Sequence, residues 1–308
     1  MGARTKVSWR AFTGAIASLS CLLLLTPARA LALAPLEGVA NFRLVTPLVP
    51  GLYRSAELER ASDKDADFLL NELGVRTIVD LRNDDEVAEA RRTLSSGGER
   101  LVGAGASPGR VHLPPLGNVA AFFDAVAASL PPGRRLRALA WLLLDGGKRD
   151  QLLRDELTRE GTPRLLYTSM LQSAPVTWGA AFRAAASASP AAPAVVHCAK
   201  GKDRTGVLAA LVALAAGEGE AAVVEEYARS AGLLAAHARA RGEPGGEPEA
   251  GRRGGVDWSA LRGTPPEAME ETLAWLRREH GSVDGYLDRI GVDAACRAEL
   301  RGRSGSSS

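Results

Sequence analysis

The chain has 308 residues, 46% hydrophobic and 24% charged, an ordinary balance for a soluble globular protein of one large domain or two small ones. A net charge of +2 excludes a strongly basic, nucleic-acid-binding composition, and four scattered histidines offer no metal-ligand cluster.

Met1 to Ala30 reads as a secretory signal. Arg4, Lys6 and Arg10 make a positive start, Ala11 to Thr26 is apolar, and Ala28-Arg29-Ala30 supplies the small residues that a signal peptidase needs. The apolar run is short for a membrane span, and Cys21 sits inside it, which argues against a lipid anchor. Without this segment 34 basic residues face 36 acidic ones, so the exported chain carries about −2. A secreted or periplasmic protein with no stable membrane span is expected. Two cysteines then remain, Cys198 and Cys296, and Cys198 is claimed by the loop described below, so a structural disulfide is not expected.

Residues 31–40 read as a linker. Asn41-Phe42-Arg43 and Leu52-Tyr53-Arg54-Ser55-Ala56-Glu57-Leu58 follow, and Arg54 is a candidate contact for a substrate phosphate. Ser62 to Gly74 has an N-cap serine, acids in its first turn and a glycine stop, the signature of a helix. Val75 to Arg82 is a strand whose Asp80 and Arg82 stand at its carboxyl end, where open α/β sheets place their sites. Either they take part in catalysis or they form a structural ion pair. Glu86 to Leu94 reads as helix, Ser95–Gly98 and Gly103–Gly109 as loops, and Val111–Pro114 as a short strand with a structural His112. Residues 119–160 have helical patterning broken at Pro131-Pro132-Gly133 and Gly146-Gly147, suggesting a substrate-recognition or lid insertion. Leu165 to Phe182 reads as two helices around Pro175, and a loop over Ala184–Pro193 leads to the next strand.

Ala194-Val195-Val196 has the composition of a buried strand end, and Val207 to Ala216 that of a buried helix. Between them lies His197-Cys198-Ala199-Lys200-Gly201-Lys202-Asp203-Arg204-Thr205-Gly206. A cysteine ends the strand and an arginine opens the helix. Backbone N–H groups of such a loop, with the helix dipole behind them, converge on an anion. Arg204 suits bidentate binding of phosphate oxygens, and the same positive field favours a Cys198 thiolate able to attack phosphorus. Thr205 is placed to donate to the sulfur, and His197 to fix the loop through its ring. Gly201 and Gly206 allow backbone shapes or approaches that a Cβ blocks.

This run resembles the signature loop of the cysteine-dependent phosphatases, and its filled form HCAKGKDRTG resembles that of the bacterial triple-specificity and tyrosine phosphatases. The segments at Asn41 and Leu52, the helix–glycine–strand unit ending Asp80-Leu81-Arg82, Val223 to Ser230, and His280 to Val292 are similar to segments of the same family. The chain departs from the family at Leu44-Val45-Thr46-Pro47, which is closer to the small atypical dual-specificity phosphatases. The resemblance implies an α/β cysteine-phosphatase fold, a central mostly parallel sheet flanked by helices, over residues 41–301. It also implies action on phosphorylated proteins or peptides, or on phosphoinositides, with no metal or cofactor. Gly242–Gly255 is expected to be a mobile loop and 302–308 a disordered tail.

Expulsion of a poor leaving group needs a proton donor. No aspartate lies between Glu156 and Lys202, where many cysteine phosphatases carry one. Asp203 inside the loop is the replacement that the resemblance implies, and Asp80 is the alternative. Cys198, Arg204, Asp203 and Asp80 are therefore the catalytic candidates. His197, Ala199, Lys200, Gly201, Lys202, Thr205 and Arg54 are the phosphate-binding candidates. Lys200 and Lys202 also favour a substrate with more than one phosphate, which leaves a phosphoinositide or inositol-phosphate phosphatase as an alternative. A phosphate-binding module without turnover is the other.

Overall fold

The computed structural model describes residues 36–159, 163–243 and 263–305. The expected leader Met1–Ala30, and the expected loop from residue 244 on, lie outside them. Five strands form one sheet among these residues: β1 (Arg43–Leu44), β2 (Leu52–Ser55), β3 (Thr77–Asp80), β4 (Gly109–His112) and β5 (Ala194–His197), in the order β1-β2-β5-β3-β4. Only β1 runs antiparallel to its neighbour; the other pairings are parallel. The expected α/β architecture with a mostly parallel sheet is present.

β5 sits in the middle, and all four of its residues are buried. A strand with parallel neighbours on both sides and helices on both faces needs apolar residues facing both ways. Ala194-Val195-Val196 satisfies that need. Helices α1 (Asp63–Asp67), α2 (Asp84–Ala90), α3 (Ser96–Val102), α4 (Val119–Ser129), α5 (Pro132–Leu144), α6 (Gly146–Arg159), α7 (Arg164–Ser173) and α8 (Pro175–Ala186) precede it. After it come α9 (Asp203–Ala215), α10 (Glu220–Ala240), α11 (Pro266–His280), α12 (Val283–Arg289) and α13 (Ala294–Gly305). α8 brings Trp178 and Phe182 against β3 and β5, while α9 buries Leu208, Leu211 and Val212 between α8 and α10.

Three expectations need correction. Ser95–Gly98 is no loop: Ser95 caps α3 by accepting from the Gly98 amide at 3.0 Å. The helix lies so close to the chain below that a Cβ on Gly98 would stand 2.2 Å from the Glu59 carbonyl oxygen. The glycines there serve close packing. Residues 36–40 are no linker, since Leu36 and Val39 are buried and the amides of Glu37 and Gly38 bind the Asp65 carboxylate at 2.8 and 2.7 Å. The tail is helical as far as Gly305, with Arg303 Nη1 donating to the Ala186 carbonyl at 2.9 Å.

Candidate active site

β5 ends at His197, with Ser55 of β2 opposite on one side and Asp80 of β3 on the other. Cys198 follows, only 2% exposed, and the chain turns through Lys202 into α9. The carbonyls of this turn are tied to the protein body. Ala199 O accepts from the Glu57 amide at 3.1 Å and Lys200 O from Asn41 Nδ2 at 3.1 Å. Gly201 O accepts from Asn41 Nδ2 at 3.0 Å and from Arg54 Nη2 at 2.6 Å. In a trans peptide each N–H points away from the preceding carbonyl, and among the described residues no peptide is cis. The amides of Lys200, Gly201 and Lys202 are therefore turned to the opposite side of the loop. Together with the N-terminal end of α9 they make an anion cradle. Gly201 is at φ +65°, and a Cβ there would stand 2.1 Å from the Ser55 carbonyl oxygen, so the turn demands glycine.

Arg54 does not face the cradle. Its side chain is fully buried, with Nη1 2.5 Å from Glu226 Oε2 on α10 and Nη2 on Gly201 O. The expected phosphate contact is thus a brace, because every residue of β2 is buried and Arg54 reaches its partners behind the loop. Arg43, its register partner across β1 and β2, places Nε 2.6 Å from the same Glu226. Burial, helped by the charge of Arg54 and opposed by Glu226, lowers the Arg43 pKa to about 9.

Arg204 opens α9 and grips Glu86 of α2 with both ends of its guanidinium, Nη2 to Oε1 at 2.7 Å and Nη1 to Oε2 at 2.5 Å. Nη1 also donates to the Leu81 carbonyl at 3.3 Å. Burial alone would lower the Arg204 pKa, but the bonds and charge of Glu86 outweigh it and raise the value, as do the charges of Cys198 and Asp203. The guanidinium stays charged. Among the described residues, Nε–H and the second proton of Nη2 make no bond, which leaves a two-point donor for phosphate oxygens.

Asp203 lies in the first turn of α9, where a negative side chain suits the helix dipole. Its Oδ1 accepts from the Tyr167 hydroxyl at 2.6 Å, and that hydroxyl lies 2.8 Å from the Tyr227 hydroxyl. Burial first, and the Asp203 charge second, push the Tyr167 pKa well above its ordinary value. Tyr167 therefore stays protonated and points its O–H at the carboxylate.

Asp80 is different. Its carboxylate is fully buried and accepts from the Arg82 amide and Nε at 3.0 Å each, from Arg82 Nη2 at 2.8 Å and from Arg110 Nη2 at 2.6 Å. Burial would raise its pKa, but the bonds and charge of Arg82 hold it far below the carboxylate range. Such a group has no proton to give, so the structure favours the structural ion pair for Asp80 and Arg82. His197 Nε2 lies 3.5 Å from Asp80 Oδ2, yet neither ring nitrogen makes a hydrogen bond among the described residues. Burial lowers the His197 pKa against the pull of Asp80, leaving a neutral ring. The expected ring bonds to the loop are not made, nor is the bond from Thr205 to the sulfur, since Thr205 Oγ1 is buried without a partner. Lys202 is 3% exposed, with Nζ on the Gly263 carbonyl at 3.0 Å, while Lys200 is half-buried.

Four contributors escaped the sequence reading: Asn41 as a loop anchor, Glu86, Glu226 and Tyr167. A capping pattern was available for Glu86, whose Oε2 takes the Asn83 amide at 2.9 Å, but nothing in the sequence joined it to Arg204. The sequence model of the tyrosine phosphatase family matches residues 35–304. The chain belongs to the tyrosine phosphatase family. It is 30% identical over 304 residues to the triple specificity protein phosphatase PtpB of Mycobacterium tuberculosis, covering 88% of this chain and 99% of that one. It is 28% identical over 262 residues to a tyrosine-protein phosphatase of Nostoc commune, covering 82% of this chain and 73% of that one. The family match takes in each element that holds the loop of this phosphatase, from Asn41 on the first turn to Glu226 on α10. Among the described residues no helix is long and apolar enough to cross a membrane.

Proposed function

We propose that this phosphatase hydrolyses phosphorylated proteins, phosphotyrosine first and with the broader specificity named for its mycobacterial relative, through a phosphocysteine. The observation that carries the proposal is the outward tethering of the Ala199, Lys200 and Gly201 carbonyls, which turns the following amides toward one anion. Cys198 Sγ attacks phosphorus as the bond to the leaving oxygen breaks. Arg204 and the loop amides hold the equatorial oxygens. Asp203, oriented by Tyr167, protonates the leaving oxygen, then takes a proton from the water that attacks phosphorus, releasing phosphate and restoring the thiolate. His197, Ala199, Gly201 and Thr205 shape the cradle, and half-buried Lys200 lies on the same loop. With Lys202 bonded to Gly263, the lysine pair that favoured phosphoinositides is broken up, so that substrate is not favoured. Family membership likewise disfavours a module without turnover. The Met1–Ala30 pattern supports export, with a single phosphatase domain behind it.

Hydrolysis of p-nitrophenyl phosphate in EDTA under reducing conditions tests the reading. Wild type is expected to turn over, and Cys198→Ser to lose about 10³-fold or more. Wild type that binds vanadate but releases no phosphate overturns it.

A further inference from the structure

The outer face of α5 is built the wrong way round for a helix whose surroundings are water alone. Ala138 is its one buried residue, at 1% exposure. On the opposite face Leu136, Leu139, Ala140 and Leu143 follow the i, i+3, i+4, i+7 spacing that lines one side of a helix. These leucines are 68%, 54% and 81% exposed, and the next residue, Leu144, is 77% exposed. Globular proteins seldom leave so much aliphatic surface together unless something covers it.

The flanks of that face are cationic. Arg135 stands on one edge and Arg137 on the other; both are exposed, and among the described residues neither makes a hydrogen bond or an ion pair. Arg134, nearer the buried side, is held by Glu156 of α6 at 2.8 Å. The thirteen residues of α5 include no acid at all. An apolar sector edged by two arginines, on a helix that lies along the surface, is the pattern of an element resting in the interface of an anionic bilayer. The leucines enter the acyl boundary there and the guanidinium groups remain among the phosphates.

We propose that α5 docks this protein onto membranes rich in anionic lipid, independently of which phosphoester the catalytic loop takes. A second copy of the chain is a poorer occupant. An isologous contact would set the Arg135 and Arg137 edges against the same edges of the partner, with no acid on α5 to neutralise them.

Flotation of the full chain with vesicles tests this, comparing pure phosphatidylcholine with phosphatidylcholine containing phosphatidylserine. Wild type is expected to float with the anionic vesicles and to be released by raised salt. The pair Leu139→Glu and Leu143→Glu is expected to lower the bound fraction about tenfold or more on those vesicles. The pair Arg135→Gln and Arg137→Gln is expected to remove the preference for anionic lipid. Both should keep p-nitrophenyl phosphate turnover in the absence of vesicles, which shows that they fold. The leader is common to every variant, so the difference between them reports α5. Equal flotation of wild type and both pairs overturns the proposal. So does a wild-type dimer that the leucine pair converts to monomer while vesicle binding stays unchanged.

Discussion

Two aspartates competed for one proton-transfer role, and their surroundings separate them. Asp80 accepts four hydrogen bonds from arginine groups in a fully buried setting, whereas Asp203 is partly exposed beside the cradle and accepts a bond from a neutral tyrosine. A general acid matters most when the leaving oxygen is basic. Asp203→Asn is therefore expected to slow phosphotyrosine hydrolysis about 10²-fold or more and to affect p-nitrophenyl phosphate much less. Equal losses on the two substrates in steady-state kinetics would remove Asp203 from that role. Arg54 makes the same point in reverse. An arginine next to a serine on an opening strand reads as a phosphate contact, yet its charge is spent on Glu226 and on the back of the loop.

At the level of elements, the site depends on where short helices begin. α2 starts so that Glu86 both caps its own helix at the Asn83 amide and accepts both ends of Arg204. Glu86→Gln keeps the shape but removes the charge facing a guanidinium that is only 11% exposed. The melting temperature is expected to fall with a loss of about 1–3 kcal/mol, and kcat/KM to drop about tenfold or more as Arg204 loses its aim; thermal melts and kinetics on one preparation check both. Much of this region was readable in advance. The strand, loop and helix around Cys198 are contiguous, so composition and glycine placement were enough to identify them, and the resemblance of that loop to a known family implied the parallel sheet. What escaped has a common cause. Asn41, Glu86, Glu226 and Tyr167 reach the loop only through tertiary packing, across long separations in sequence, and no local pattern ties them to it. Gly97-Gly98 misled for a related reason, because the demand for small residues came from the Glu59 and Ser62 backbone and not from a turn.

Across the whole molecule, acid stability and assembly follow from the same buried charges. Burial keeps His197 neutral in the folded state, while the unfolded chain binds its proton below about pH 6.5. Stability should therefore begin to fall as pH drops through that value, to which His237 and His280, also lowered by burial, contribute. The depressed carboxyls of Asp80 and Glu86 keep their stabilising contribution above the ordinary carboxylate range and lose it only at lower pH. Melts at pH 7 and pH 5.5 should show a drop that His197→Asn reduces; an equal drop in the variant would assign it to other groups. The pairing of Arg43 with Arg54 across β1 and β2 bears on how the chain is made. A ribosome delivers those two arginines early, the cysteine much later, and Glu226, which bonds both, later still. Until α10 is synthesised the arginine pair repels itself and the back of the loop lacks its clamp. The brace behind the catalytic loop is therefore complete only once α10 has been made.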